Sequence, residues 1–255
     1  MREWLTRERA GAPYWLLLLV SIAVVTGLAL TVPSLLRSAP KGSTALPAYT
    51  PTPAPSDVPF TKPEDPRMLV LGDSYTQGFA ADPATSGYAY LIGKQLGWRT
   101  EIKGVGSTGY TYGGVGGQKL DYGTRIQQYI DSSTFDPNVI VLEGSQNDYR
   151  AVPTVTAAVV KDVRLLRTAY PLARIVLFGP AAPQPLQNNL SPIDAALQAA
   201  ANQLDVPYIS PYQDKWFTVA NTKQYGYSDG AHLNTAGHAY LAKRFLEDFE
   251  PLFGS

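Results

Sequence analysis

The sequence contains no cysteine and only two histidines, which narrows the chemistry open to it. Without cysteine it has no disulfide, thiolate metal site, iron–sulfur cluster or thiol nucleophile. His232 and His238 are too few for a multi-histidine metal centre. Lys and Arg total 21, as do Asp and Glu. The chain therefore has no basic field, and nucleic acid is not an expected partner.

The longest apolar stretch lies near the N-terminus. No charged residue occurs from Ala10 to Leu36, and residues 15–32 are almost wholly apolar, long enough as a helix to cross a bilayer. We therefore predict a transmembrane signal-anchor helix over residues 14–36, after a short cytoplasmic segment of residues 1–13. A cleaved signal peptide is the alternative, although its apolar centre is usually shorter.

Basic residues around that stretch indicate its orientation. Three arginines precede it, and one arginine and one lysine follow it: Arg2, Arg7, Arg9, Arg37 and Lys41. Because a basic excess marks the cytoplasmic side, we expect a single-pass protein of the cell membrane with a cytoplasmic N-terminus and an extracytoplasmic remainder. If the apolar segment is cleaved, the remainder is secreted.

A proline-rich stretch follows. Residues 37–66 contain eight prolines among Ser, Thr and Ala, which leaves few amide donors and little to bury. Such a composition is typical of an extended spacer. Residues 67–255 then form one domain, long enough for a sizeable hydrophobic core.

Short apolar runs alternate with amphipathic stretches in residues 67–255. The predicted strands are Met68–Gly72, Arg99–Lys103, Val139–Leu142, Arg174–Phe178 and Val206–Ile209. The predicted helices are Tyr88–Leu96, Leu120–Ile130, Val155–Ala169, Ile193–Leu204 and Thr235–Phe249. This alternation predicts a parallel sheet covered by helices on both sides, with strands buried on both faces. Ligands of such sheets bind beyond the carboxyl ends of the strands.

Polar side chains occupy the first and last of those positions. The strand MLVL runs into GDSYTQG, so Ser74 lies near a helix start, where amides and the helix dipole favour negative charge. In DGAHLN, Asp229 and His232 are three residues apart, and a tight turn brings them together as a carboxylate that orients an imidazole. Each pattern by itself is also typical of a helix cap or polar turn. We interpret His238, on another helix face, as structural.

Two further loops contain donors suited to an oxyanion. GVGSTGYTYGG follows the second strand, and its glycines allow a backbone amide to approach a ligand closely. EGSQNDY follows the third strand and offers the side-chain amide of Asn147, with Asp148 as an acceptor behind it. Ordinary turns use the same residue types.

Together, these four segments resemble the SGNH hydrolase family, also called GDSL esterases and lipases, over essentially all of residues 67–255. By this resemblance the chain is identified as a membrane-anchored bacterial member. The resemblance implies a three-layer α/β/α, flavodoxin-like fold with a five-stranded parallel sheet, here preceded by one transmembrane helix. It also implies a serine-dependent ester hydrolase that needs no metal or cofactor.

The resemblance assigns the catalytic roles. Ser74 corresponds to the nucleophile and donates its own amide to the oxyanion, with Asp73 in a supporting position. His232 corresponds to the base, and Asp229 to the carboxylate that orients it.

The remaining oxyanion donors also follow from the resemblance. Gly109 corresponds to the second donor, with Gly106 as the alternative, and the Asn147 side chain to the third, supported by Asp148. One departure is that both Ser145 and Gln146 stand before Asn147, where the family usually has a single residue. Another is Leu233 after the histidine, where the family often has proline.

We therefore predict an extracytoplasmic serine esterase or acylhydrolase. It would cleave or transfer O-acyl groups on cell-envelope glycans or lipids, or on a small molecule, with no obligate protein partner. The alternative is a noncatalytic glycan-binding envelope protein that uses an aromatic surface of Tyr110, Tyr112, Tyr225, Tyr227 and Trp216. GVGSTG also matches the glycine pattern of a dinucleotide-binding turn, which requires a helix directly after it. The TYGGVGG that follows is too rich in glycine to start a helix, which argues against this alternative.

Overall fold

The computed structural model describes residues 62–253 and two short strands near the N-terminus. Glu8–Arg9 and Ala12–Pro13 pair antiparallel within the predicted segment 1–13. The predicted transmembrane helix over residues 14–36 and nearly all of the proline-rich spacer lie outside the described residues. In the part that is described, no helix is both long and apolar enough to span a bilayer.

A five-stranded parallel sheet forms the centre of the domain. Its strands are β1 (Arg67–Gly72), β2 (Arg99–Gly104), β3 (Val139–Glu143), β4 (Arg174–Phe178) and β5 (Tyr208–Ile209). They lie in the order β2-β1-β3-β4-β5, and every neighbouring pair is parallel. This is the flavodoxin-like strand order, so the predicted sheet is confirmed.

Seven α-helices surround the sheet in the described domain. They are α1 (Ser74–Gln77), α2 (Tyr88–Leu96), α3 (Tyr122–Ser132), α4 (Val152–Ala169), α5 (Ser191–Leu204), α6 (Val219–Tyr225) and α7 (Thr235–Phe249). The five predicted helices are all present, α2 and α7 with the predicted bounds and the others shifted by less than one turn. The short helices α1 and α6 were not predicted, because neither is long enough to show an apolar stripe.

Successive side chains of β1 enter two separate cores. Met68 and Val70 pack in the core that α2 and α7 cover, and Leu69 and Leu71 pack in the core beneath α3, α4 and α5. Because neighbouring residues of a strand point to opposite faces, a single strand contributes to both cores. The result is the predicted three-layer α/β/α arrangement.

The edge strand β2 differs from the expectation that every strand is buried on both faces. All of its residues are exposed or half-buried, and Lys103 pairs with Glu101 at 3.2 Å. Within the described sheet β2 pairs only with β1. Charged side chains are tolerated at such an edge, where they also discourage pairing with another chain.

Helix α4 buries an acid together with its predicted apolar stripe. Val155, Val159, Val163 and Leu166 are fully buried, as the helical spacing predicts. Asp162 is buried beside them, and its Oδ2 has no hydrogen-bond partner among the described residues. Burial raises the pKa of Asp162 from its ordinary 3.8 to about 7.

We predict that Asp162→Asn increases the free energy of unfolding by an amount that grows between about pH 4 and pH 7 and then levels off. The unfolded chain loses this proton near pH 3.8 and the folded chain near pH 7, so the native acid destabilises the fold progressively, by about 1.4 kcal/mol per pH unit. Urea unfolding of both proteins across this range measures the difference. The exposed Asp131→Asn is the control, and a pH-independent gain for Asp162→Asn would contradict the prediction.

Candidate functional site

Loops from both ends of the domain meet at the carboxyl edge of the sheet, where the strand order reverses between β1 and β3. Ser74 follows β1 after one residue, Asp73, and Asn147 follows β3 within the turn Gln146–Asp148. Asp229 and His232 lie in the loop before α7. Parallel sheets of this kind place their ligand sites at such a crevice.

Close packing places Ser74 at the start of α1. A Cβ on Gly72 would collide with the side chains of Thr76 and Glu143, so only glycine fits at the strand end. Asp73 is the N-cap, and its Oδ1 accepts a hydrogen bond from the Tyr75 amide at 2.9 Å. Ser74 is therefore the first residue of the helix, with its hydroxyl at the end where backbone amides are free.

Three side chains lie in one line of hydrogen bonds. The distance from Ser74 Oγ to His232 Nε2 is 2.8 Å, and that from His232 Nδ1 to Asp229 Oδ2 is 2.7 Å. The other Asp229 oxygen accepts hydrogen bonds from the amides of Ala231 and His232, both at 2.9 Å. Although burial opposes ionisation, these hydrogen bonds and His232 lower the pKa of Asp229 below its ordinary value. Asp229 is thus an anion that fixes the imidazole orientation.

Two aromatic rings from the segment that carries Ser74 contact the imidazole of His232. The Phe79 ring lies 4.5 Å from it, and the Tyr75 ring 5.7 Å, measured between ring centroids. The Tyr75 hydroxyl also donates to the Ala231 carbonyl at 2.9 Å. These contacts hold the segment after β1 against the loop before α7, next to the Ser74–His232 hydrogen bond.

His238 has the structural role that its position predicts. It is fully buried, with Nε2 2.9 Å from the Phe79 carbonyl and Nδ1 3.3 Å from the Tyr88 amide. Burial lowers the pKa of His238 to about 4. The neutral ring therefore donates to Phe79 and accepts from Tyr88, which ties α7 to the segment after α1.

The backbone donors near Ser74 differ from the expected set. No acceptor for the Ser74 amide exists among the described residues, so this donor is free. The Gly109 amide, the expected second donor, instead donates to the Tyr112 carbonyl at 2.8 Å, and a Cβ on Gly109 would lie against Asp148. In this arrangement the Gly109 amide is therefore occupied, and its role as an oxyanion donor stays a prediction. A Cβ on Gly106 would lie 3.8 Å from the Ser74 Cβ, which favours the alternative, Gly106.

Two amide groups beside the nucleophile have internal acceptors. The Gly106 amide donates to the Gln77 side-chain oxygen at 3.0 Å, and Gln77 is exposed. Asn147 Nδ2 donates to the Thr108 carbonyl at 2.8 Å and more weakly to Asp73 Oδ2 at 3.3 Å. Both amide groups would have to exchange one of these contacts to bind an incoming oxygen.

Asp148 holds the glycine-rich loop in place. Its buried carboxylate accepts hydrogen bonds from the amides of Tyr110, Thr111 and Tyr112, each at 2.9 Å, and from the Thr111 and Ser145 hydroxyls. One side chain thus joins the loop after β2 to the loop after β3. The supporting position predicted for Asp148 agrees with these contacts.

Sequence reasoning missed two buried charged residues beneath the site. Glu143 Oε2 accepts from the Thr76 hydroxyl at 2.8 Å and the Asp73 amide at 3.3 Å. Burial and the Asp73 charge raise the pKa of Glu143 well above its ordinary value. The second is Arg125 on α3. The sequence contains a signal for each residue. Glu143 is an acid at the end of a buried strand, and Arg125 lies within the buried helical stripe that includes Tyr122 and Ile126.

Arg125 connects three segments of the site. Its guanidinium donates to the Gly72 carbonyl at 2.9 Å, the Thr108 hydroxyl at 3.1 Å and the Lys103 carbonyl. Among the described residues it has no carboxylate within ion-pair distance. The buried charge is thus satisfied by the ends of β1 and β2 and by the loop that carries Gly106.

The aromatic surface expected for a binding protein is only partly present. Tyr110 and Trp216 are buried, and Tyr225 stacks on Tyr240 at 4.5 Å. Only Tyr112 and Tyr227 of the five expected residues are exposed. The dinucleotide-binding turn is also absent, because β2 is followed by a loop and the next α-helix begins only at Tyr122.

Comparisons with known proteins give a family and a fold for this chain. Residues 70–240 match the family model of the GDSL-like Lipase/Acylhydrolase family. A curated GDSL lipase of Mycobacterium tuberculosis is 29% identical over 193 residues, which cover 69% of this chain and 78% of that protein.

Two solved structures share the fold. A carbohydrate acetylesterase family member from Sinorhizobium meliloti has a TM-score of 0.56 at 13% identity, covering 74% of this chain and 100% of that one. A carbohydrate esterase family 2 enzyme with a carbohydrate-binding domain, from Corynascus thermopiles, has a TM-score of 0.60 at 18% identity, covering 81% and 69%. At these sequence identities, the comparison shows that the two structures share the fold of this chain and shows nothing further.

We predict that Arg125→Met lowers the free energy of unfolding by about 2 kcal/mol, because it removes the hydrogen bonds of a charged donor to the Gly72 and Lys103 carbonyls. It should also slow the reaction of Ser74 with a serine-directed phosphonate, since the guanidinium no longer ties the loop that carries Gly106 to the end of β1. Urea unfolding and the inactivation rate measure the two effects. The exposed Arg164→Met is the matched control, and a variant at position 125 that behaves like this control would contradict the assigned role.

Proposed function

The chain belongs to the GDSL-like lipase/acylhydrolase family and is accordingly a serine-dependent ester hydrolase, and from this premise we propose that it works through Ser74, His232 and Asp229. The observation that carries the proposal is the continuous line of hydrogen bonds from the Ser74 hydroxyl through the imidazole to the Asp229 carboxylate. In this tautomer Nδ1 donates to Asp229, so Nε2 is free to accept the serine proton.

The first half of the reaction forms an acyl-enzyme. As Ser74 Oγ attacks the ester carbonyl carbon, His232 Nε2 takes the hydroxyl proton and the carbonyl oxygen becomes an oxyanion. The Asp229 anion stabilises the resulting imidazolium. Collapse of the tetrahedral intermediate breaks the bond to the alcohol oxygen, and His232 returns its proton to that leaving group.

The second half releases the acyl group. His232 removes a proton from water, the resulting hydroxide attacks the acyl carbon, and Ser74 leaves with the proton returned by the imidazole. A sugar hydroxyl in place of water would give transfer instead of hydrolysis by the same steps. No metal or organic cofactor takes part in the proposed reaction.

The oxyanion is proposed to lie between the amides of Ser74 and Gly106 and the side chain of Asn147. The Ser74 amide is free, whereas Gly106 would exchange Gln77 and Asn147 its weaker contact to Asp73 for the substrate oxygen. Such donors contribute most when they are held in place before the charge develops. The Asp148 and Arg125 contacts supply that rigidity.

We predict that Ser74→Ala abolishes both ester hydrolysis and covalent labelling by a serine-directed phosphonate, and that His232→Ala lowers both by several orders of magnitude. The hydroxyl is the attacking group and the imidazole its only base within hydrogen-bond distance among the described residues. Hydrolysis of short-chain 4-nitrophenyl esters and intact-mass spectrometry provide the measurements.

Ser86→Ala, which changes a serine in the turn before α2, is the matched control and should keep wild-type activity. Activity retained by Ser74→Ala would rule out this nucleophile. Folded wild-type protein that neither labels nor hydrolyses any ester would instead favour the glycan-binding alternative.

For substrate and location, we propose an O-acyl group on a cell-envelope glycan or lipid, with the domain outside the cytoplasmic membrane. The uncharged apolar segment and the basic residues before it support the location. The carbohydrate esterases that share the fold support a glycan ester.

We predict that protease added to intact spheroplasts digests the domain of residues 67–255, since the proposed orientation places it outside the membrane. Immunoblotting against a C-terminal tag measures the loss, with a cytoplasmic protein as the control. A domain that is digested only after lysis would contradict the orientation.

A further inference from the structure

A small cavity adjoins the proposed oxyanion site, because Asn147 belongs to both. Its volume is about 260 Å³, and its wall includes Asn147 and Ser107. The exposed side chains of Tyr112, Val115 and Tyr149 form its rim. A substrate whose ester carbonyl is held by Asn147 would therefore extend a neighbouring group into this cavity.

The cavity wall contains two charged residues of opposite sign, and only one of them is available to a ligand. The Asp148 carboxylate is buried and already accepts hydrogen bonds from three backbone amides and two hydroxyls. Its charge is thus dispersed over the loop that it holds.

Arg150 is the available charge. It is exposed and lines the cavity, and its guanidinium lies over the Tyr149 ring at 5.1 Å from the ring centroid. No carboxylate of the described residues lies within ion-pair distance of it. Stacking on Tyr149 restrains the guanidinium while its N–H donors remain free for a planar anion.

From this arrangement, which rests on the proposed function, we propose that the cavity is an anion subsite and that the enzyme prefers esters carrying a carboxylate or similar anion near the scissile bond. Arg150 would pair with this anion, and the tyrosines would contact the adjoining apolar or sugar surface. The subsite would lower KM for anionic esters without changing the reacting groups. An acidic sugar acylated near its carboxylate has the required chemistry.

Two pairs of esters, each an anionic ester and a neutral analogue of similar size, test the subsite with the full-length chain in a nonionic detergent. One pair, 4-acetoxybenzoate and its methyl ester, carries the charge on the alcohol side of the scissile bond. The other, 4-nitrophenyl hydrogen succinate and 4-nitrophenyl butyrate, carries it on the acyl side. Each is assayed with the wild type, with Arg150→Gln, and with the exposed Arg164→Gln as a control of equal charge change.

We expect Arg150→Gln to reduce kcat/KM for the anionic member of one pair about 10-fold, mainly through KM, as is typical of a lost hydrogen bond between charged groups. The neutral esters should change less than about twofold, and Arg164→Gln should leave both pairs unchanged. The pair that responds identifies the side of the ester bond that faces the cavity. Added salt should weaken the preference in the wild type, because it screens an exposed charge.

Equal losses in Arg150→Gln and Arg164→Gln would overturn the subsite, since they would reflect only net charge. A charge preference in neither pair, with neutral esters still hydrolysed in a Ser74-dependent manner, would overturn the subsite and leave the proposed function standing. Failure to hydrolyse any of the four esters would overturn both.

Discussion

The contact between the Ser74 hydroxyl and the His232 imidazole is the interaction on which the rest of the site depends. It joins residues 158 positions apart, one following the first strand of the sheet and the other preceding the last helix. A single hydrogen bond contributes little to stability, so other contacts must hold the two segments at this distance. Tyr75, Phe79 and His238 supply them, and each joins the segment after β1 to the C-terminal segment by a hydrogen bond or ring contact.

Beneath that contact, buried polar groups replace the usual apolar packing. Asp73 and Glu143 lie close together, and burial raises the pKa of both, that of Asp73 to about 6. Two neighbouring acids in a low dielectric do not both ionise easily, so the charge of one favours the neutral form of the other. Arg125 and Asp148 then satisfy the carbonyls and amides at the ends of β1, β2 and the following loop. A fully satisfied network of this kind rigidifies a site and fixes one arrangement of it.

Much of the fold could be predicted from sequence because the strands and longer helices carry strong periodic patterns. The central strands are continuous apolar runs, and α4 repeats valine at helical spacing, so both were found with nearly correct bounds. The family resemblance is confirmed by the match over residues 70–240. The side chains of Ser74, His232 and Asp229 meet at the carboxyl edge of the sheet, where the strand pattern predicted a ligand site. The predicted membrane helix stays a prediction.

The parts that could not be predicted depend on tertiary contacts. The sequence pattern does not distinguish Gly109 from Gly106, because the Tyr112 carbonyl and the Asp148 carboxylate that lie against Gly109 come from tertiary contacts. Arg125 and Glu143 interact with segments distant in sequence, so neither has a local motif. The sequence predicts the position of β2 but not its exposure. Exposure depends on β2 lying at the edge of the sheet with one neighbouring strand, and the strand order is not visible in its own residues.

The arrangement of the site also constrains when activity can appear during biosynthesis. A ribosome releases the chain from its N-terminus, so the nucleophile's strand and α1 emerge long before the base. His232 lies only a few residues before α7, whose Leu241, Phe245 and Phe249 complete one of the two cores. The nascent chain therefore carries Ser74 without its base until the last α-helix has folded. The chain cannot hydrolyse an ester through this site before the final stage of synthesis.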